Sequence, residues 1–480
     1  MATTSLGQLT AEIQRMNPWW RDPSGWTARD PDLRSAAQSG LDYRPGALAD
    51  LEPGGLYVLR GPRRVGKTVT MKQAIQDLLA RNTPPLAIVR LAADGWEAKN
   101  LRTAIQNAPL APLPPGVMRW WFIDEVSAVS GDWAAEIKWL RDNLPDFAEA
   151  VVVLTGSSAH SLTRGAGTLA GRRGQVDRTD RTLMPMGFRE FALIWYPALS
   201  ELPVLSVGEI HSPSGADAYA AANVWLADLL PLWEAYLHYG GFPAAVAAAK
   251  AAHPVPKWFI DTLFDVVHKD AFASSNLDET QTAQLVERVW ASMSTPLNQS
   301  SIGADVGVHH DVVGRHLDSL RDAYLLWSVQ QLDHEWVGLP RAMDKVYPVD
   351  PLIGRLAHLR SSSRSDLDLT VLAESQIGMG LQRAHLATSA DWAGEKQLFY
   401  LRTPTRKEVD FVGEALAGAA VEGKYTEGGR WLREAATVNA SGYRGILTTR
   451  NVLDTIAGAN GAWAVPACVL AALVDAQHPE

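Results

Sequence analysis

The chain of 480 residues contains a single cysteine, Cys468, so it can form neither an internal disulfide nor a cage of thiolate metal ligands. It has no excess of positive charge: 44 basic residues are balanced by 53 acidic ones, and a net charge of −9 is unlike a protein that coats nucleic acid. It also has no long apolar run, because the most apolar stretch, residues 462–474, is shorter than the roughly 20 residues of a membrane-spanning helix. These absences predict a cytoplasmic protein without a membrane partner, in which any contact with DNA comes from a local patch.

Apolar residues make up 47% and charged residues 20%, as in ordinary globular domains, and the length corresponds to about three domains at roughly 150 residues each. Between residues 56 and 154, short apolar runs alternate with segments of helical periodicity. That alternation predicts an α/β fold with a parallel sheet covered on both faces. Residues 188–273 have mostly helical periodicity, and most of the 18 tryptophans are expected in core packing.

A phosphate-binding loop is predicted at residues 61–68, which read Gly-Pro-Arg-Arg-Val-Gly-Lys-Thr between a strand and a helix. The glycines allow successive backbone N–H groups to surround an anion at the start of the helix, where the helix dipole is positive. Lys67 is expected to pair with the β- and γ-phosphates, and Thr68 to bind Mg²⁺. The residues predicted to contact the nucleotide are Gly61, Pro62, Arg63, Arg64, Val65, Gly66, Lys67, Thr68, Val69 and Asp124.

Two adjacent carboxylates, Asp124 and Glu125, follow the apolar run at residues 120–123. They are predicted at the carboxyl edge of the sheet, where open α/β folds bind their ligands. Asp124 is expected to hold Mg²⁺ through water, and Glu125 to orient or deprotonate the attacking water. The second carboxylate favours hydrolysis of ATP over a simple GTPase switch.

Further polar groups come later in the same predicted domain. The next strand ends in Thr155, Ser157 and Ser158, whose hydroxyl groups could contact the γ-phosphate or cap the following helix. Arg172 and Arg173 lie between two glycines. They could act as an arginine finger within the chain or across a subunit interface, or they could form a solvated basic loop.

Together these motifs resemble those of the AAA+ ATPases of bacteria and archaea that carry a C-terminal domain of unknown function. Other segments also match: residues 17–20 (Asn-Pro-Trp-Trp), 171–174 (Gly-Arg-Arg-Gly), 185–191 (Pro-Met-Gly-Phe-Arg-Glu-Phe) and 240–243 (Gly-Gly-Phe-Pro). The resemblance implies a P-loop AAA+ parallel-sheet core, a helical lid, a winged helix and a C-terminal α/β domain similar to restriction-endonuclease-like (PD-(D/E)XK) nucleases. It also implies ATP and Mg²⁺ as cofactors, leaves a homo-oligomer open, and suggests that Trp19 and Trp20 pack near the adenine.

Asp410 and the pair Glu422 and Lys424 have the layout of a metal-dependent nuclease core, because residues two apart on a strand share a face. The carboxylates could bind Mg²⁺, and the lysine could assist water activation or steady the developing charge. Glu374 matches a glutamate that lies beside this site in the family, so the resemblance implies metal ligands at Glu374, Asp410 and Glu422. Cleavage, nucleic-acid binding and a degenerate structural core stay open as alternatives.

The order of helices followed by an extended segment between residues 279 and 333 resembles a winged helix. Arg315, His316 and Arg321 are predicted on or near its third helix, where a DNA-reading helix carries positive charge. Winged helices in ATPases often only bridge domains, so contact with DNA is one of two alternatives for this element.

The predicted organisation is a segment packed on the ATPase core (1–50), the core itself (51–190), the lid (191–275), the winged helix (276–345) and the nuclease-like domain (346–480). One function consistent with it is a Mg²⁺-dependent ATPase that couples ATP binding and hydrolysis to DNA binding or processing. The alternative is a regulatory ATPase switch that controls assembly or a protein partner and has an inactive nuclease-like domain. The net charge favours the switch, whereas Asp410, Glu422 and Lys424 favour DNA binding or processing.

Overall fold

The computed structural model describes residues 6–108, 112–156, 162, 165, 167–270, 277–333, 338–339, 342–360, 366–388, 398–403, 407–456 and 461–474. These residues form two compact units that divide between Leu183 and Met184. Across the described ranges, no helix is both long enough and apolar enough to cross a membrane.

The first unit is built on a five-stranded sheet with the order β2-β3-β4-β1-β5, in which all neighbouring strands are parallel. The strands are β1 (Leu56–Arg60), β2 (Ile88–Ala92), β3 (Trp120–Asp124), β4 (Val151–Thr155) and β5 (Asp180–Thr182). All five residues of β1 and of β4 are buried, as in a sheet covered on both faces. The predicted α/β fold with a parallel sheet is therefore confirmed for this unit.

Helices of the first unit pack against alternate residues of these strands. Leu9 and Ile13, Leu101, and Ile137 come from three different helices and join one apolar cluster with β1, β2, β3 and β4. The helices described in this unit are α1 (Leu6–Met16), α2 (Pro31–Gln38), α3 (Lys67–Ala80), α4 (Ala98–Gln106), α5 (Trp133–Asn143) and α6 (Pro145–Ala148).

The Asn-Pro-Trp-Trp motif lies against β2, the first strand in the sheet order. The side chain of Asn17 donates to the carbonyl oxygen of Arg90 (2.9 Å) and accepts from its amide (2.6 Å). The indole N–H groups of Trp19 and Trp20 both donate to the carbonyl oxygen of Ile88, at 3.0 and 2.8 Å. Because Ile88 begins β2, the two indoles lie at the amino end of the sheet. The phosphate loop follows the carboxyl end of β1, and the expectation that the two indoles pack near the adenine stays a prediction.

The second unit combines helices with a seven-stranded mixed sheet in the order β12-β11-β10-β9-β8-β6-β7. The strands are β6 (Leu326–Leu332), β7 (Lys345–Pro348), β8 (Phe399–Arg402), β9 (Glu408–Val412), β10 (Ala419–Thr426), β11 (Arg444–Thr449) and β12 (Ala462–Pro466). Its described helices before β6 are α7 (Phe188–Leu193), α8 (Pro213–Asn223), α9 (Leu226–Tyr239), α10 (Pro243–Lys250), α11 (Lys257–Asp265), α12 (Glu279–Ala291), α13 (Gln299–Val306) and α14 (His310–Asp322). Those after β7 are α15 (Pro351–Arg360), α16 (Leu369–Thr388), α17 (Trp431–Ala440) and α18 (Ala467–Val474), and a π-helical turn (Val266–Asp270) follows α11.

The segments expected to form a lid, a winged helix and a C-terminal domain belong to this one compact unit. Helix α18 packs against α7, α8 and α9 of the expected lid, and α9 also packs against α15. Strand β6 pairs with β7 in an antiparallel hairpin and, on its other side, with β8 in parallel. The expected boundaries at 275/276 and 345/346 therefore do not coincide with a division of the structure, because apolar packing and sheet pairing continue across them.

Two of the motifs that suggested a family meet inside the second unit. The amide of Met186 donates to the carbonyl oxygen of Gly241 (2.8 Å), and the amide of Gly241 donates to Oδ2 of Asp350 (2.6 Å). A Cβ atom at Gly241 would lie 1.9 Å from the carbonyl oxygen of Met186, so the backbones can approach this closely only at glycine. Asp350 is fully buried, and that burial raises its pKa to about 6.

Candidate functional site

The predicted phosphate loop connects β1 to α3, with Lys67 as the first residue of the helix. Gly61 has a φ of 143°, and a Cβ atom there would lie 2.0 Å from the carbonyl oxygen of Leu183. Leu183 is itself held to the end of β1, because its amide donates to the carbonyl oxygen of Arg60 at 2.8 Å. The residue after β1 must therefore be glycine for the loop to turn at this point.

Lys67 is buried beneath its own loop. Its Nζ atom donates to the carbonyl oxygens of Gly61 (2.8 Å) and Pro62 (2.9 Å). Burial lowers the pKa of the Lys67 ammonium group to about 8, and the nearby carboxylates of Glu125 and Asp124 oppose that shift. A buried ammonium group held only by neutral carbonyl oxygens is suited to binding an anion, because an anion would restore the lost solvation.

Asp124 ends β3 and is 3% exposed. Its Oδ1 atom accepts from the hydroxyl group of Thr155 at 2.5 Å, and its Oδ2 atom lies 2.7 Å from the guanidinium of Arg90. Thr155 ends the neighbouring strand β4, and its hydroxyl oxygen also accepts from the amide of Glu125 (3.3 Å). The structure thus brings the polar ends of β3 and β4 together, as the sequence suggested. Ser157 and Ser158 lie outside the described residues.

Glu125 follows Asp124 and is half-buried, with a φ of 57° and a ψ of 39°. A residue other than glycine seldom adopts this left-handed conformation, and such backbone strain is commonly found at functional sites. The conformation turns the chain at the carboxyl edge of the sheet, directly after β3.

The side chains at this edge fit a magnesium-nucleotide. Thr68 offers a half-buried hydroxyl group one residue after Lys67, and Asp124 offers a buried carboxylate that is already oriented by Thr155. A hydroxyl group and a carboxylate are the oxygen ligands that Mg²⁺ takes beside the phosphates of a nucleotide. Thr68 and Asp124 would hold the ion, Asp124 through water.

The two candidate arginine fingers, Arg172 and Arg173, form ion pairs within the first unit. The carbonyl oxygen of Arg173 accepts from the amide of Leu56, which begins β1, whereas the phosphate loop follows the end of that strand. Arg172 pairs with Asp142 at 3.0 Å, and Arg173 forms an ion pair with Asp180. Asp180 also pairs with Arg60, the last residue of β1, at 2.7 Å, so the guanidinium of Arg173 shares a carboxylate with the residue that precedes the loop. A role for Arg172 or Arg173 as an arginine finger, within the chain or across a subunit interface, stays a prediction.

In the second unit, the structure brings together the residues expected to form a nuclease-like core. Asp410 lies on β9, Glu422 and Lys424 lie on the adjacent β10, and Glu374 lies on α16, which packs on β10. Asp410, Glu422 and Glu374 are 3%, 3% and 7% exposed. Lys424 Nζ lies 3.0 Å from Oε1 of Glu422, and the amide of Gly423 donates to Oδ2 of Asp410 at 2.9 Å. We refer to Glu374, Glu408, Asp410 and Glu422 as the carboxylate cluster.

Sequence reasoning missed a second lysine in this cluster. Lys345, the first residue of β7, is 2% exposed, and its Nζ atom lies 2.7 Å from Oδ1 of Asp410. Tyr347, two residues later, donates its hydroxyl hydrogen to Oε1 of Glu374 at 2.7 Å. A lysine at the start of a short apolar run was the signal in the sequence, since a buried charge needs a partner, but the run does not show which carboxylates Lys345 contacts.

Charges within the cluster shift the pKa values of its carboxyl groups in opposite directions. Burial, together with the negative charge of Asp410, raises the pKa of Glu374 to about 8 and that of Glu422 to about 7. Burial also acts to raise the pKa of Asp410, but the ammonium groups of Lys345 and Lys424 outweigh it, so that this pKa is lowered. Asp410 is therefore the carboxylate that stays ionised and holds the positive charges.

The cluster as arranged does not fit a divalent metal ion. The ammonium group of Lys345 lies against Asp410, Glu408 and Glu374 together, so a cation already occupies the space between these carboxylates, and the amide of Gly423 donates to the other oxygen of Asp410. In the part of the chain that the structure describes, one group of three potential ligands has its donor atoms all within 4.8 Å of one another: His309, His310 and Asp311, at the surface. The predicted ligand set of the carboxylate cluster is not such a group.

The candidate DNA-contacting residues of α14 differ in exposure. Arg315 is exposed, whereas His316 is 2% exposed and its pKa is lowered to about 4 by burial and by the charge of Arg315. Arg321 donates to the hydroxyl group of Ser328 (3.0 Å) and forms an ion pair with Asp318. The expectation that His316 contacts DNA is therefore wrong, because its imidazole faces the protein interior as a neutral group.

Two family models match parts of the chain. Residues 54–192 match a family model described as an AAA domain, and residues 230–364 match one described as a domain of unknown function (DUF8612). No curated protein matches the chain. The second matched range spans much of the expected lid and winged helix, and it ends before the carboxylates on β9 and β10.

Several solved structures are distantly similar. They include the Walker-type ATPase PABY2304 of Pyrococcus abyssi, with 12% identity over 69% of this chain and 95% of that chain (TM-score 0.37). The ORC2 protein of Aeropyrum pernix is 11% identical over 72% of this chain and 95% of that chain (TM-score 0.33). The DNA clamp loader delta protein of Bacillus subtilis is 11% identical over 72% and 98% (TM-score 0.24).

Proposed function

Because residues 54–192 match an AAA domain and contain a P-loop, we propose that the chain binds ATP with Mg²⁺ at residues 61–68 and hydrolyses it. The observation that carries this proposal is the buried ammonium group of Lys67, which lies beneath the loop and within electrostatic reach of Asp124 and Glu125. An anion bound by the loop would lie between this cation and the backbone N–H groups at the start of α3.

Each side chain at the carboxyl edge then has a distinct role. Lys67 would exchange its loop carbonyl oxygens for oxygens of the β- and γ-phosphates. Mg²⁺, when bound, would neutralise the phosphate charge that develops during transfer. Glu125 would accept a proton from the attacking water. The water oxygen would form a bond to the γ-phosphorus while the bond between the γ-phosphorus and the β-phosphate oxygen breaks. Thr155 would keep Asp124 oriented through its hydroxyl group.

Steady-state ATP hydrolysis by the full chain tests the proposal. Glu125→Gln is expected to lose at least a hundredfold in kcat while it still binds a nucleotide, because it lacks only the proton acceptor. The matched control is Glu149→Gln, which changes an exposed glutamate in the same unit and is expected to keep wild-type turnover. Wild-type turnover in Glu125→Gln would refute the role of Glu125, and nucleotide binding by Lys67→Ala equal to wild type would refute the site.

We further propose that nucleotide hydrolysis is coupled to DNA binding or processing by the second unit. Support comes from the exposed Arg315 on α14 and from the half-buried Lys424 beside β11, since both cations could reach a phosphate backbone. Binding of this kind depends steeply on salt, because each phosphate contact releases a condensed counterion.

DNA binding can be measured with single-stranded, duplex and branched oligonucleotides at several salt concentrations. Arg315→Ala is expected to weaken binding to all sequences and to reduce the salt slope by about one. Arg433→Ala, which removes an exposed arginine from α17, is the control and is expected to keep wild-type affinity. Absence of binding at low salt for all three kinds of DNA would refute the coupling but not ATP hydrolysis.

The second candidate function is a regulatory ATPase switch that controls assembly or a protein partner. The observation that favours it is the ion pair of Lys345 with Asp410, because this cation occupies the interior of the cluster in which a nuclease would bind metal. In this alternative the cluster stabilises the second unit and does not cleave. Light scattering with ATP, with ADP and without nucleotide tests the assembly form of this switch, which requires that the oligomeric state change with the nucleotide.

A further inference from the structure

The carboxylate cluster contains a cation that belongs to the chain itself. The Nζ atom of Lys345 lies 2.7 Å from Oδ1 of Asp410, 3.3 Å from Oε2 of Glu408 and 3.8 Å from Oε1 of Glu374. It is also 5.5 Å from the centre of the Tyr400 ring, whose face attracts positive charge. Three carboxylates and an aromatic face therefore share one ammonium group that is almost completely shielded from water.

We propose that Lys345 is the resident cation of the carboxylate cluster and that it excludes a divalent metal ion from the cluster. Mg²⁺ binds oxygens at about 2.1 Å and tolerates little deviation from octahedral geometry. An ion at that distance from Oδ1 of Asp410, on the side of Lys345, would lie in contact with the ammonium group and be repelled by it. On its other oxygen, Asp410 is held by the amide of Gly423.

The backbone holds Lys345 in this position from both sides. Lys345 pairs with Val329 across the β6–β7 hairpin and forms an isolated bridge with Pro296. Two residues later, the Tyr347 ring lies 5.7 Å from the ring of Phe411 on β9. The side chains of β7 therefore reach β9 although β6 and β8 lie between these strands in the sheet order, and strand pairing fixes the backbone from which the ammonium group extends.

Removal of the ammonium group would leave buried carboxylate oxygens that could bind a metal ion. Oδ1 of Asp410 would lose its hydrogen-bond donor, and Oε2 of Glu422 is already buried without a hydrogen-bond partner. Buried carboxylate oxygens without a cation are costly, and a divalent cation would relieve that cost. Lys345→Met keeps an unbranched apolar side chain as far as the ε position and removes only the ammonium group, so it is expected to convert the cluster into a site for Mg²⁺ or Mn²⁺.

This inference deepens the second candidate function and rests on it only for the view that the cluster does not cleave DNA. Its test uses neither nucleotide nor DNA. Failure of the ATPase proposal would therefore leave it intact, and failure of the test would leave the ATPase proposal intact.

The experiment is a calorimetric titration of the full chain with MnCl₂. The wild type is expected to show no Mn²⁺ site that depends on the cluster. Lys345→Met is expected to gain one Mn²⁺ site per chain, with a Kd at least tenfold below that of any residual Mn²⁺ binding by the wild type. The gain should disappear in the double variant Lys345→Met/Asp410→Asn. Lys345→Arg is the matched control, because it keeps a cation at the position and should gain no site.

A second measurement decides the matter if Lys345→Met does not fold. Luminescence of Tb³⁺ excited through Trp327 and Tyr347 reports an ion in the cluster, because both rings lie beside Phe411 of β9. The wild type and Glu422→Gln are expected to give equal Tb³⁺ luminescence, because neither protein binds the ion in the cluster. A wild-type signal that Glu422→Gln removes, a wild-type Mn²⁺ affinity equal to that of Lys345→Met, or a folded Lys345→Met without a new site would overturn the proposal.

Discussion

Arg90 and Asp124 form an ion pair between neighbouring strands of the first unit, with 2.7 Å between a guanidinium nitrogen and Oδ2. Asp124 is the carboxylate that would hold Mg²⁺ through water, so in the absence of the ion its charge is balanced by a cation from β2. Both side chains are largely buried, at 13% and 4% exposure. In the second unit Lys345 also balances a buried aspartate, Asp410, but its ammonium group lies among three carboxylates instead of beside one.

Arg90→Met is expected to destabilise the nucleotide-free protein by about 3 kcal/mol, because it leaves Asp124 buried without its cation. Mg²⁺ with a nucleotide should compensate part of this loss, so the variant should show a larger rise in Tm on adding Mg²⁺ and a nonhydrolysable ATP analogue than the wild type. Arg81→Met, at an exposed arginine, is the control. An equal rise in both proteins would mean that Arg90 does not balance the charge of Asp124.

Lys67→Met is expected to stabilise the nucleotide-free protein while it abolishes nucleotide binding. The pKa of Lys67 is about 8 when folded and about 10.5 when unfolded, so folding penalises the charged form. Below pH 8 the full penalty applies, up to about 3 kcal/mol, and it is relieved as the pH rises from 8 to 10.5. Urea unfolding at pH 7 and pH 10 would show a gain for Lys67→Met that shrinks with pH. Lys99→Met, at an exposed lysine, should show no such trend.

His316→Leu is expected to make the second unit less sensitive to acid. The pKa of His316 is about 4 when folded, below the unfolded value of about 6.5, so its neutral form contributes stability that is complete above pH 6.5. That contribution is lost as the pH falls from 6.5 toward 4. Unfolding free energies measured across this range should fall less steeply in His316→Leu. An unchanged slope would show that the imidazole is not buried as a neutral group, and exposed His253→Gln serves as the comparison.

Gly241→Ala is expected to destabilise the second unit by at least about 2 kcal/mol, because the new methyl group would meet the carbonyl oxygen of Met186 at 1.9 Å. Gly429→Ala is the matched control, since no atom lies within 4 Å of a Cβ atom at that position. Thermal unfolding of the two variants should differ by several degrees. Equal melting temperatures would show that the backbone at Gly241 can move aside.

Much of the fold of the first unit could be predicted from the sequence, because its strands and motifs are specified by residues that are close together in the chain. A Gly-rich turn between an apolar run and a helical period specifies the P-loop, and the carboxylates at Asp124 and Glu125 follow a strand that is recognisable by its apolar residues. The partners of these groups were not predictable. Arg90 and Lys345 reach carboxylates on other strands, and strand order depends on tertiary packing that periodicity does not encode.

The second unit was harder to predict as a whole. The residues of the carboxylate cluster were identified by their spacing on β9 and β10, but the expected boundary at 345/346 separated Lys345 from Asp410. The extended segment of β6 looked like the wing of a small domain because a strand pattern does not reveal how many neighbours the strand has. In the structure β6 has two, β7 and β8, and the apolar core continues through it.

Asn17, Trp19 and Trp20 use side-chain groups to satisfy the outer backbone of β2 at Arg90 and Ile88. A short helical segment thus takes the place of a sixth strand without extending the sheet. A chain that lacked these residues would present unpaired amide and carbonyl groups along an apolar strand, which is a template for another extended chain. The motif therefore blocks the edge of the sheet at β2. Its loss would favour self-association in which a strand of another chain pairs with β2.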